Sequence, residues 1–269
     1  MAGAANSRTD RRNWSRRSFV LAGLLAGLTG ACSQQGDLAE GEAGRVARVL
    51  DGDSLALDTG LRVRLAEVEA PAGGYGDRAD EPGAAVARSI MERASVGREA
   101  RLWYGGLSRD RYQRAIAHVI AKDEVGADVW LNGLAVRQGA ARVRTYPDNA
   151  KRARRLLALE SEARAGKLGL WAEAFWRVRG LDDLIDAPYF SIVEGVVTGL
   201  GERPGDGDAV LSASGIRFDV GERLGVADVD VRVGAKVRVR GRIDTRPAET
   251  GGDRVIRVTH WAQVEAVSS

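Results

Sequence analysis

Cysteine and histidine are nearly missing: one Cys and two His occur in 269 residues. Cys32 alone cannot form an intramolecular disulfide. With only His118 and His260 beside it, a Cys/His zinc cluster is excluded. His118 lies in the β-like run Ala115–Ile120, where a structural histidine with a satisfied ring is expected. No P-loop is visible, and no nucleophile triad can be assembled. The apolar run Phe19–Leu28 is interrupted by Gly23 and Gly27. It is too short for a stable membrane anchor, which takes about 20 apolar residues.

That run belongs to a three-part plan: a basic start, an apolar centre and the small residues Thr29-Gly30-Ala31 before Cys32. Such a plan reads as an export signal over residues 1–31 rather than as part of a fold. Ser15-Arg16-Arg17-Ser18-Phe19-Val20 looks like a twin-arginine motif. Leu28-Thr29-Gly30-Ala31-Cys32 resembles a lipoprotein cleavage box, with Thr29 where Leu, Val or Ile is usual. The expectation is a periplasmic, membrane-anchored lipoprotein of a Gram-negative bacterium, lipidated on Cys32, with an ordinary cleaved signal as the alternative. A flexible tether would then occupy residues 32–44.

Removing the signal changes the charge balance. Residues 1–31 carry five Arg and one Asp, so a net +3 for the whole chain becomes −1 from Cys32 onward. Residues 41–180 sum to +5 and residues 181–269 to −4. Only the first of these stretches has the sign suited to a polyanion.

Strand signals dominate both stretches. Val46–Leu50, Ser54–Leu57, Leu61–Val68, Ala100–Tyr104 and Ala115–Ile120 read as strands. Helical periodicity marks Gly83–Ala94, Asp128–Gln138, with Asp128 as N-cap, and Asn149–Ala165. The later segments Phe190–Leu200, Ala209–Ser214, Ile216–Val220, Ala235–Asp244 and Val255–Val267 are β-rich between Gly, Pro and Asp clusters. The predicted fold class is mainly β with helices: an OB-fold barrel over residues 45–172, a linker over 173–188, and a second small all-β, OB-like domain over 189–269. An SH3-like barrel or small sandwich remains an alternative for the second. A monomer is expected.

Asp51-Gly52-Asp53-Ser54 is by itself ordinary hairpin-turn chemistry. Its sequel alters the balance: Arg62-Val63-Arg64-Leu65-Ala66-Glu67-Val68-Glu69-Ala70-Pro71, then Asp110-Arg111-Tyr112-Gln113-Arg114, then Val136-Arg137-Gln138-Gly139, then Glu162 to Gly169-Leu170-Trp171. In this order and spacing the segments, spanning about residues 46–171, resemble the thermonuclease family, the calcium-dependent nucleases of staphylococcal type.

The resemblance implies roles. Asp53 and Glu69, with the backbone carbonyl of Ala70, match the Ca2+ ligands, and Asp51 matches a nearby acid. Arg64 and Arg114 match the catalytic pair that grips the scissile phosphate, where planar permanent charge suits a dianion in the making. Tyr112 matches a nucleic-acid-binding tyrosine, and Tyr146 is the candidate for stacking on a base. Four departures stand out. Glu69 replaces the usual Asp, Gln113 replaces Gly, one tyrosine stands where the family has two, and Ala72 replaces the Glu that activates water. Asp77, Asp80 and Glu81 in the following loop are the acids that could substitute. Loss of a positioned base costs about 10²- to 10⁴-fold in rate.

Three readings follow. The chain binds single-stranded or flexible DNA or RNA with calcium and cleaves it; or it is a catalytically impaired module that only binds nucleic acid or a partner; or it is an envelope lipoprotein whose paired barrels hold a protein or polysaccharide.

Overall fold

The computed structural model describes residues 36–180, 183–184, 187–200, 207–211, 216–220, 231–244 and 254–267. The expected export signal and Cys32 lie outside them. From Asp37 onward the chain forms one compact unit. Among the described residues no helix is long and apolar enough to cross a membrane.

The first half of the chain alternates short strands with three helices: β1 (Ala39–Asp51), β2 (Ser54–Leu57), β3 (Arg62–Leu65), β4 (Val68–Glu69), α1 (Ala84–Ser95), β5 (Glu99–Tyr104), β6 (Ala115–Lys122), β7 (Asp128–Trp130), α2 (Leu131–Arg137), β8 (Arg142–Val143) and α3 (Ala153–Ala165). Five strands close into a ring in the order β1-β2-β3-β6-β5 and back to β1. Only β3 and β6 run parallel in it. All four residues of β2 are buried, so it shows none of the alternation of a half-exposed strand. Val46, Leu55, Leu57, Val63, Leu65, Leu102 and Val119 fill the barrel, each contributing about 1.5–3 kcal/mol of burial for its larger side chains. Helix α1 caps the barrel with Ala84, Ala87, Ile90 and Met91 on its buried face, the i, i+3, i+4 spacing that the sequence displays.

Four differences from the sequence reading have local causes. Residues 39–44, expected in the tether, form the first half of β1. They pair with β5 from Ala39↔Tyr104 to Gly44↔Ala100, and Glu40 and Glu42 form ion pairs with Arg101 and Arg109. The strand expected over 61–68 breaks at Glu67, whose φ of 64° is left-handed. Asp128 is no helix cap: β7 pairs with β6, Lys122 Nζ lies 2.6 Å from the Asp128 carboxylate, and α2 begins at Leu131. Helix α3 starts at Ala153 rather than Asn149, and the buried Glu67 carboxylate receives the Arg152 N–H at its first turn (2.9 Å).

The second half holds β9 (Arg179–Gly180), β10 (Phe190–Leu200), β11 (Gly207–Leu211), β12 (Ile216–Val220), β13 (Lys236–Asp244), β14 (Arg254–Val258) and β15 (Val264–Ala266). The strand expected over 255–267 is divided by a 3₁₀ turn at Trp261–Gln263. Part of the strand expected over 209–214 lies outside the described residues. Here too five strands close, in the order β10-β11-β12-β14-β13 and back to β10, with β12 and β14 the parallel pair. Both barrels thus share one OB-type connection order. The second has its own core, which includes Val193, Val197, Val237, Val239, Ile256 and Val258.

The two barrels meet at β8 and α3. Arg240 of β13 is 0% exposed; its guanidinium lies 2.8 Å from Glu160 of α3 and also pairs with Glu265. Burial acts to lower the Arg240 pKa, but the two carboxylates outweigh it and raise it. Gln263 donates to the Thr145 carbonyl (3.2 Å), and Arg142 to the Phe190 carbonyl (2.6 Å).

Candidate nucleic-acid interface

The Asp51-Gly52-Asp53 turn joins β1 to β2 under α1. The Asp51 carboxylate accepts the Asp53 N–H at 3.1 Å, an Asx turn that fixes the bend. Asp53 is 3% exposed. Its Oδ1 accepts the Ser54 hydroxyl (2.9 Å), and its Oδ2 accepts the Ala70 N–H (2.7 Å) and pairs with Arg64. Arg64 reaches it because β2 and β3 pair Ser54 with Arg64 across the hairpin.

Glu69 sits on β4 directly opposite Arg142 of β8. Arg142 donates from Nη2 to Glu69 Oε2 at 2.9 Å, and Arg144 holds Oε1, so both oxygens are clamped by guanidinium groups. Burial works to raise the Glu69 pKa; the charges of Arg142, Arg144 and Arg64 together outweigh it and hold the carboxyl below its usual range. Arg142 in turn is packed between the rings of Trp176 (4.7 Å) and Phe190 (4.9 Å), while Arg144 lies over Phe190 (5.0 Å) and Tyr146 (5.6 Å).

Arg114 follows a turn in which Asp110 accepts the N–H groups of Tyr112 (2.9 Å) and Arg114 (3.0 Å). Asp110 Oδ2 also accepts Arg114 Nε at 2.7 Å, leaving the outer guanidinium nitrogens available. Gln113 adopts the left-handed φ of 61° that a glycine would take freely. The turn therefore keeps its shape at the cost of about 1–2 kcal/mol of backbone strain.

A cleft of about 260 Å³ opens beside these groups, lined among others by Arg64, Asp110, Arg114, Arg144, Tyr146 and Asn149. The sequence-predicted Arg64, Arg114 and Tyr146 thus come together. Tyr146 is 48% exposed at the rim. Tyr112 is 61% exposed and does not line the cleft; its ring lies under the guanidinium of Arg111 (4.7 Å) and near that of Arg114 (5.7 Å). His118 is buried, with Nε2 3.1 Å from Glu67 Oε1, but its ring is only half satisfied as against the expectation, because the buried Nδ1 has no hydrogen-bond partner among the described residues.

Arg142, Arg144 and Phe190 were not singled out from sequence. The pattern Arg142-Val143-Arg144-Thr145-Tyr146 places Arg, Arg and Tyr at alternate positions of an extended segment, on one face. That alternation is the signal that could have found them.

The carboxylates that the family resemblance assigns to calcium do not fit the ion as they stand. Calcium takes 6–8 oxygen ligands, whereas every carboxylate oxygen of Asp53 and Glu69 already accepts a hydrogen bond or a guanidinium. Among the described residues no three His, Cys, Asp or Glu side chains are grouped to hold a metal. Ala72, at the position of the missing base, is half-buried, and its N–H donates to Glu81 Oε2 at 2.7 Å.

The family model described as "Staphylococcal nuclease homologue" matches residues 62–173. A thermonuclease of Staphylococcus intermedius is 29% identical over 134 residues, covering 49% of this chain and 77% of the relative. A protein named "Uncharacterized endonuclease" from Escherichia coli O157:H7 is 33% identical over 146 residues, covering 51% of this chain and 85% of the relative. A thermonuclease of Staphylococcus hyicus is 26% identical over 131 residues. The second barrel lies outside the family match.

Proposed function

Because the chain belongs to the staphylococcal nuclease homologue family, we propose that it binds the phosphodiester backbone of single-stranded or flexible nucleic acid in this cleft and hydrolyses it only feebly. The observation that carries the reading is the convergence of Arg64, Arg114 and Arg144 on one cleft with Tyr146 at its rim. Arginine forks bind phosphate oxygens in pairs and strengthen as charge builds on them. An aromatic ring beside them offers a base about 1–3 kcal/mol of stacking without sequence preference.

Feeble hydrolysis follows from residue 72. A methyl group accepts no proton, and the loop acids nearby are engaged. Glu81 accepts the Ala72 N–H and pairs with Arg78 (3.0 Å), and Asp80 accepts the Gly74 N–H (2.5 Å). Each braces the 72–81 loop, so neither can activate water without giving up a loop contact. Asp77 is exposed on the same loop, and a poorly held group makes a poor base. Calcium is the cation that family resemblance implies. The reading extends to a periplasmic monomer lipidated on Cys32, supported by the arginine-rich start, the apolar run and the Cys32 box in the sequence.

The test compares the native chain with Ala72→Glu on labelled single-stranded DNA and RNA, in calcium and in chelator. Native binding with little cleavage, and a gain of about 10²-fold or more in cleavage by the variant, is the expected result. Fast cleavage by the native chain would refute the impaired reading; absence of binding in every buffer would remove nucleic acid from the account.

A further inference from the structure

We propose that Arg142 and Arg144 are a built-in counter-ion that takes the place of a divalent cation, so that the cleft binds a phosphodiester without metal. The inference rests on the nucleic-acid reading above and concerns how that same site is charged.

Glu69 is a partly buried carboxylate, and something positive must balance it. Two guanidinium groups do so, one on each oxygen. For calcium to bind there, both would have to leave. Arg142 has nowhere to go: its Nη1 donates to the Phe190 carbonyl at 2.6 Å, and its plane is flanked by Trp176 and Phe190. Withdrawn from Glu69, it would remain a buried, uncompensated charge. Asp53 is closed in the same way by the Ala70 N–H, the Ser54 hydroxyl and Arg64.

Arg144 differs from Arg142 in its outlook. It clamps Glu69 and also lines the cleft beside Arg64 and Arg114. One residue thus supplies the charge that neutralises the acid and donors that meet the ligand. Three arginines (Arg64, Arg114, Arg144) and three acids (Glu67, Asp110, Asp148) line the cleft itself. The cleft is therefore balanced before any ion arrives, and a phosphodiester adds a single negative charge next to three arginines that line it.

The experiment uses the full chain, a short fluorescein-labelled oligothymidylate, and two measurements: fluorescence anisotropy in calcium and in chelator, and calorimetric titration of calcium alone. The native chain should bind the oligonucleotide equally in both buffers and give no calcium heat. Arg144→Ala should lose about tenfold or more in chelator affinity, the scale of one charge-assisted contact. Arg144→Lys, which keeps the charge, should bind the oligonucleotide independently of calcium while losing the fork's share of affinity; circular dichroism checks that both variants fold. Calcium heat from the native chain, or oligonucleotide binding that collapses in chelator, would overturn this inference and leave the nucleic-acid reading standing. No oligonucleotide binding in either buffer would sink both.

Discussion

Asp110 shows how much one side chain organises here. It accepts two backbone N–H groups and the Nε of Arg114, and so sets both the turn and the direction of a phosphate-facing guanidinium. Burial tends to raise its pKa, but these hydrogen bonds and the Arg114 charge outweigh that and lower it from 3.8. A carboxyl with a depressed folded pKa stabilises the fold fully above its unfolded value and loses that contribution as pH falls through the folded one. Thermal stability should therefore fall below the ordinary carboxylate range, and Asp110→Asn should flatten that acid limb. An unchanged limb would show that Asp110 is not linked to folding. At this scale motif order in the sequence points to Arg64 and Arg114, whereas Tyr146 is only the nearest aromatic in a segment that departs from the family pattern. Motif order is silent on Arg142 and Arg144. An Arg-x-Arg strand ordinarily reads as a solvated face, and the Phe190 ring that desolvates it comes from 46 positions or more further along the chain.

Among the elements, the β1–β2 turn is built for closeness. A Cβ placed on Gly52 would lie 2.6 Å from the Ala70 Cβ and 2.7 Å from the Ala87 Cβ, so strand end, β4 exit and α1 touch through a missing side chain. Gly52→Ala should cost about 1–3 kcal/mol by overpacking, read from urea denaturation. It should also weaken oligonucleotide binding by moving Ala70 away from Asp53. Unchanged stability would mean that the turn yields freely. The same turn looked like ordinary hairpin chemistry in the sequence, where φ preference is visible and crowding from residues 18 and 35 positions away is not. Helix α2 teaches a similar lesson. Asp128 has the residue type of an N-cap, but its pairing into β7 wins because Ile120, Ala121 and Lys122 offer an unfilled strand edge. The buried periodicity of α1, by contrast, is a purely local pattern, and the expected span Gly83–Ala94 lies within one residue of the helix at each end.

For the molecule as a whole, the second barrel is tied to the first through charge. Buried Arg240 and Glu160, with the partly exposed Glu265, form a charged set spanning both barrels, with Val143 N–H donating to Glu160 at 2.7 Å. Arg240→Met should destabilise the protein by about 3–5 kcal/mol, because two carboxylates lose the guanidinium they share. Adding Glu160→Gln should recover part of that loss by removing one stranded charge. Additive losses in chemical denaturation would count against a shared network. The pattern of β-rich segments in the second half made a small barrel legible, but its connection order and its grip on β8 depend on pairings that no local motif encodes. The seam at Phe190 also sets a schedule. A chain made from its N-terminus completes the strands of the first barrel well before Phe190 exists. Until then Arg142 lacks the ring and carbonyl that fix it, and Glu69 lacks a settled clamp. The anion grip is thus the last part of the first barrel to mature, and a ribosome-bound intermediate halted before Phe190 would carry the barrel but not a finished site.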